Sequence, residues 1–218
     1  MPPRQPSPAV ATVVASLKRL ASTRTRDDMK RYGIPSEKAL GVPMAAMLKL
    51  SKEIGCDHDL AVALWKTDIY EARMLASLID EPDRVTPAQM DRWCRDFDNW
   101  GIVDTVCFKL FDRSPHAWKK AAEWARRTKE FEKRAGYVLM ACLALHDKRA
   151  PDKAFLPFLT LIEDSATDGR NFVVKGADWA LRSIARRSST LKSAAAAASK
   201  RMKAARSASR RVRSAKAL

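Results

Sequence analysis

The chain has 218 residues, 46 % hydrophobic and 30 % charged, with 41 Lys or Arg against 25 Asp or Glu and a formal net charge of +16. That length suits one buried domain of roughly 180 residues followed by a tail, with no second full domain, and no run of about 18 apolar residues is present to span a bilayer. The charge is uneven: residues 179–218 hold no acidic residue and supply twelve Lys or Arg, so the positive field sits at one end and suits an anionic polymer, nucleic acid above all.

Residues 1–8 are proline-rich, and Lys18 and Arg19 interrupt the apolar segment behind them, an order of regions that does not fit a signal peptide. Helix start and stop signals then recur while alternating β-type runs are absent, which predicts an all-α fold. Pro43 opens a helix through Met44, Met47, Leu48 and Leu50 that stops at Gly55. Asp57 caps the next, through Leu64 and Trp65, and another covers residues 69–79. Thr86 and Pro87 open a helix with Met90, Trp93 and Phe97, and Asn99 caps its successor. Ser114 and Pro115 start one bearing Trp118 and Trp124; helical patterns follow over residues 130–145, 152–163 with a kink at Pro157, and 170–187. Trp65, Trp93, Trp118 and Trp124 are expected in the core. Cys56, Cys94, Cys107 and Cys142 have no CxxC spacing, and most fall in apolar helical patterns, which predicts buried thiols in a reducing cytoplasm. His58, His116 and His146 form no metal-ligand spacing, so no metal site is expected.

Short helices joined by short loops, at a pair spacing of about 35 to 40 residues, predict a curved α-solenoid of HEAT-like antiparallel helix pairs with a concave groove. The domain is expected over residues 1–188. Residues 189–218 form a basic tail of Ala, Ser, Lys and Arg with few larger apolar residues, expected to be disordered when free and helical when bound.

Three polar intrusions mark apolar helix faces. Trp100, Asp104, Cys107 and Phe111 share one stripe, which sets a carboxylate among apolar neighbours. Arg134 lies on the stripe of Phe131, Val138, Ala141, Cys142 and Leu145. The spacing is equally compatible with a buried Asp104–Arg134 ion pair that only fixes helix register. Lys175, Trp179, Arg182 and Arg186 line up at steps of four, three and four, an indole between cations that suits a phosphate backbone with a sugar or base beside it. The plainer alternative is a core Trp179 whose neighbours reach out to water.

The segments Asn99-Trp100-Gly101-Ile102-Val103-Asp104, Glu130-Phe131-Glu132-Lys133-Arg134 and Arg170-Asn171-Phe172-Val173-Val174-Lys175 running into Trp179-Ala180-Leu181-Arg182 carry a resemblance. So do Gly41-Val42-Pro43-Met44 and Tyr70-Glu71-Ala72-Arg73-Met74-Leu75-Ala76. Over about residues 29 to 190 the chain resembles the DNA alkylation repair family, the AlkD-like HEAT-repeat DNA glycosylases. The resemblance implies a monomer that excises N3- or N7-alkylated purines from duplex DNA, without a base-flipping pocket, a metal, a nucleotide or a lyase lysine, in a cytoplasmic, nucleoid-associated setting. It places Trp100, Asp104 and Trp179 on the family's catalytic cluster and Arg134 and Arg182 on positions that contact DNA; Lys175 and Arg186 join them by the stripe. An ionised Asp104 would then stabilise the oxocarbenium character of the sugar. Gly101-Ile102-Val103, between Trp100 and Asp104, and Gly176-Ala177-Asp178, ahead of Trp179, depart from the usual family choices. The alternatives are a non-catalytic HEAT-like scaffold for damaged or branched DNA and a protein-binding solenoid whose tail addresses it to the nucleoid or ribosome.

Overall fold

The structure is a computed structural model that describes residues 9–215; the proline-rich residues 1–8 and residues 216–218, with the last cation Lys216, lie outside the described residues. The chain divides into two compact units, Met1–Pro115 and His116–Leu218. All described elements are helical. The first unit holds α1 (Val10–Arg19), α2 (Thr23–Arg31), α3 (Met44–Ile54), α4 (His58–Trp65), α5 (Tyr70–Ile79), α6 (Pro87–Arg95) and α7 (Trp100–Lys109). The second holds α8 (Ala117–Trp124), α9 (Glu130–His146), α10 (Leu156–Glu163), α11 (Asn171–Ala185) and α12 (Ser189–Ala215).

Local capping chemistry sets the helix starts. Asp57 accepts the Leu60 N–H at 2.9 Å, Thr86 that of Gln89 at 3.1 Å with Pro87 in the first turn, and Asn99 that of Ile102 at 3.1 Å. α3 ends at Gly55, whose φ is 77°, while Pro43 stands one residue ahead of the helix as its cap. Pro157 does not kink a long helix: a 3-10 turn over Asp152–Phe155 comes first, and the proline sits in the first turn of α10, where a missing N–H costs nothing. α8 begins at Ala117, two residues past the expected Ser114-Pro115 start.

In the first unit α5 packs on α3, α4 and α7; in the second α9 packs on α8 and α11, and α12 on α10 and α11. Neighbouring helices thus pair while alternate helices stack, the pattern of repeated helix pairs. Trp65 and Trp93 stack at 3.9 Å between ring centres with 4° between planes, and Trp65 donates to Asp96 at 2.8 Å. Trp124 is fully buried, whereas Trp118 is half-buried, stacked on Phe158 and donating to Asp147 at 3.1 Å. Cys94, Cys107 and Cys142 are buried; Cys56 is exposed.

The end of the chain differs from the expected tail. Residues from Ser189 form α12, and Leu191, Ala195, Ala198 and Met202, at steps of four, three and four, are all buried. Two of these are alanines, so a count of large apolar residues underestimates the docking face. Arg201 grips Glu163 through two bonds of 2.6 Å, and Arg206 Nε donates to the Ala166 carbonyl at 3.1 Å. The expected boundary at residue 188 therefore falls between two packed helices of one unit.

Candidate functional site

Trp100 is the first residue of α7, and its indole N–H donates to the Tyr32 carbonyl at 2.7 Å. That bond ties the ring to the end of α2 and sets its plane. Asn99, buried beneath, caps the helix and donates to Asp98 at 2.7 Å. One turn along, Asp104 is half-buried, flanked by the buried Val103 and Val106.

Between the two, Gly101 lets Tyr70 come close: a Cβ there would stand 2.8 Å from the Tyr70 hydroxyl and 3.2 Å from Ile34. Burial, and then the nearby carboxylates of Glu71, Asp98 and Asp104, raise the Tyr70 pKa well above the ordinary phenol value. The hydroxyl keeps its proton and remains a donor on the acidic side of α7. Tyr70 also lines a cavity of about 260 Å³ with Lys38, Asp68, Arg73 and Asp98. Asp68 there is paired with Lys38 and, at 2.8 Å, with Arg73.

Tyr70 and Glu71 were not among the expected site residues, although both lie in the Tyr70–Ala76 segment that carries the family resemblance. Glu71 is 1 % exposed and accepts three backbone N–H groups, from Leu40 at 2.8 Å, Gly41 at 2.7 Å and Val42 at 3.2 Å. Gly41, at φ 80°, passes so near Ser22 that a Cβ would stand 2.1 Å from its carbonyl oxygen. The Gly41-Val42-Pro43-Met44 and Tyr70–Ala76 segments are therefore one structural unit: a buried carboxylate replaces water for three loop amides. Its stripe with Leu75 and Ile79 carried the same signal as Asp104, a carboxylate on an apolar face.

In the second unit Arg134 is buried on α9, donates to the Phe172 carbonyl at 2.8 Å and lies 6.0 Å from the Phe172 ring centre. Gly176 and Ala177 are buried where α11 meets α9, and a Cβ at 176 would lie 3.4 Å from the Arg134 stem. Small residues here accommodate the long arginine. Asp178 is half-buried. Ahead of α11, Arg170 holds Asp168 at 2.6 and 2.9 Å, with Lys133 at 3.3 Å, and this keeps the Asp168 carboxyl far below its ordinary value.

The line along α11 faces outward. Lys175, Arg182 and Arg186 are exposed and Trp179 is half-buried among them, while Val173, Ala177, Ala180 and Ile184 fill the core side. Trp179 is thus not a wholly buried core residue. Of the expected site residues, Trp100 and Asp104 belong to the first unit, one turn apart on α7, and Arg134, Lys175, Trp179, Arg182 and Arg186 to the second.

Residues 13–212 match the family model described as DNA alkylation repair enzyme. The chain belongs to that family. The match runs on through most of α12, past the expected limit near residue 190. Among solved structures the chain is similar to one from what is described as a new family of proteins related to the HEAT-like repeat DNA glycosylases with affinity for branched DNA structures. The identity is 22 % over 89 % of this chain and 83 % of that one, with a TM-score of 0.79. That likeness shows the fold, all-α and HEAT-like. No curated protein matches the chain. Among the described residues of this family member, no group of three or more His, Cys, Asp or Glu side chains is placed to hold a metal ion. His58 lies 2.7 Å from Asp80 in a pair that serves the packing of α4 and α5.

Proposed function

We propose that this family member is a monofunctional DNA glycosylase that hydrolyses the N-glycosidic bond of N3- or N7-alkylated purines in duplex DNA, without a base-flipping pocket. The observation that carries the reading is Asp104: a half-buried carboxylate one turn from an indole held by the Tyr32 carbonyl, with a phenol that keeps its proton among its near neighbours. An alkylated purine already carries positive charge, so as the bond from C1′ breaks, the electron pair leaves with a neutral base. No strong general acid is required. The sugar gains positive charge instead, and a fixed carboxylate stabilises it in surroundings that are partly stripped of water. Water then adds to C1′ and loses a proton. Trp100 and Trp179 are assigned to packing the deoxyribose by their family positions, and the exposed Lys175, Arg182 and Arg186 to the duplex backbone; Arg134, expected from sequence to meet DNA, is buried and bonded to the Phe172 carbonyl, so its part is to hold α11 on α9.

The test is direct. Purified full chain incubated with methylated duplex DNA is expected to release N3-methyladenine or N7-methylguanine and leave abasic sites. Retained duplex binding without any base release would replace this reading with the second one, a non-catalytic scaffold. The affinity for branched DNA described for the structural relative favours that alternative, and it needs only the cations of the second unit.

A further inference from the structure

The buried stripe of α12 and the two arginine contacts fix how the helix is rotated on its unit. At about 100° per residue, Lys192, Lys200, Lys203 and Arg211 then fall within one arc of roughly 100° on the side away from Leu191, Ala195, Ala198 and Met202. All four cations are exposed, and among the described residues none has an ion pair. Elsewhere in the unit several cations are paired: Lys133 and Arg170 share Asp168, Arg127 and Lys129 share Glu132, and Lys120 pairs with Glu123. On this arc the positions between the cations are small, among them Ala196 and Ser207. At the start of α12, Lys192 joins Arg182 and Arg186 around an open cavity of about 650 Å³ at the α11–α12 turn.

We propose that the outward face of α12 is a second duplex-DNA contact, a rail for the phosphate backbone that continues the cation line of α11. The inference rests on the reading of this chain as a binder of duplex DNA. From Lys192 to Arg211 the rail spans roughly 28 Å at 1.5 Å per residue, a length over which a duplex presents many phosphates. Three of the four cations are lysines, compact charges that follow a backbone without the bidentate geometry used to read bases. Small intervening side chains let the backbone approach closely. A membrane surface fits poorly, because this arc carries none of the large apolar side chains that an interfacial helix buries in lipid. Like charges three residues apart, Lys200 and Lys203, oppose the free helix slightly, and a polyanion relieves that repulsion.

The experiment compares the full chain with a variant in which Lys192, Lys200, Lys203 and Arg211 are each changed to Gln, titrated with undamaged duplex from about 50 to about 200 mM salt. Four lost phosphate contacts lower the slope of log affinity against log salt by about 3.6, so over this range the parent should lose roughly 100-fold more affinity than the variant. Thermal melting should stay within a few degrees, since none of the four is buried. Neutralising the exposed Lys148, Arg149 and Lys153 serves as the comparison and should leave the slope nearly unchanged. An unaltered slope in the α12 variant, or an equal loss in the comparison variant, overturns the rail. Binding to phosphatidylserine vesicles that disappears in the α12 variant while duplex binding stays intact overturns it in favour of a membrane. The readout is equilibrium binding of undamaged DNA, so it stands whatever the outcome for base release.

Discussion

The two units carry nearly the same number of residues and opposite electrostatic habits. Residues 1–115 hold 17 Lys or Arg and 16 Asp or Glu, whereas residues 116–218 hold 24 and 9, so almost the whole net charge of +16 belongs to the second unit. In the first, polar groups are turned inward and given single tasks: Glu71 serves three amides, Asn99 caps α7, and Tyr70 sits under Gly101. In the second, Glu123, Glu132, Glu163 and Asp168 are taken up in ion pairs and a surplus of cations is left on the outer faces of α11 and α12. On the proposed function, the first unit places the carboxylate and the second supplies the cations for a polyanion.

Removing α12 breaks the comparison most severely. Truncation after Ser189 strips cover from the second unit, and the lost burial of Leu191 and Met202 alone is worth roughly 3 to 6 kcal/mol. A fall in Tm on the order of 15 °C is expected; a melt within a few degrees of the full chain would mean that α12 contributes charge and no stability. The tail expected from sequence predicts just that small change, which makes the truncation a test between the two accounts.

Gly101→Ala probes the first unit. The added methyl meets the Tyr70 hydroxyl at 2.8 Å, and the shift it forces should cost about 1 to 3 kcal/mol. Urea unfolding measures that cost, and single-turnover base release should fall about tenfold, since a misplacement of about 1 Å is worth more than this in other sites. Unchanged values for both would detach Tyr70 from the site.

Acid should loosen the packing of α12 in the second unit. Arg201 holds the Glu163 carboxyl below its ordinary value, and Arg170, with Lys133, does the same to Asp168. A depressed carboxyl contributes stability that is present above its unfolded value, about 4.3 for Glu, and is lost as pH falls through the folded one. The protection of α12 amides, relative to their intrinsic exchange at each pH, should therefore fall below about pH 4, and Glu163→Gln should remove part of that dependence. An α12 whose protection is flat down to pH 3 would contradict the contribution of this pair.

The smallest effects belong to single cations of α11. Lys175→Gln and Arg182→Gln should each lower the salt slope of duplex binding by about one unit, while Trp179→Ala should harm base release more than affinity. Slopes that stay put would move that helix face away from DNA.

What was legible in the sequence depended on how local the cause was. The caps of α4, α6 and α7 could be read because a side chain and the N–H it accepts stand three residues apart. α2 could not: its nine residues include no buried one, and it is held at its start by Ser22, which accepts the Thr25 N–H at 3.2 Å. The role of Glu71 was hidden because its partners lie about thirty residues away in a loop. α12 was misjudged because Ala195 and Ala198 supply half of its buried stripe, and small residues register weakly in an apolar pattern. Asp104 and the α11 line stood out because polar groups at regular helical spacing need no knowledge of the partner helix.

The central claim is that Asp104 carries the chemistry, and it is tested most directly by Asp104→Asn in single-turnover release of N7-methylguanine from duplex DNA, with affinity for the same duplex measured alongside. The amide keeps the shape and loses the charge. The account predicts a rate lower by about 10²- to 10³-fold with affinity within about twofold of the parent, since no phosphate contact is removed. A near-normal rate would contradict it and leave Asp104 as a structural residue of α7.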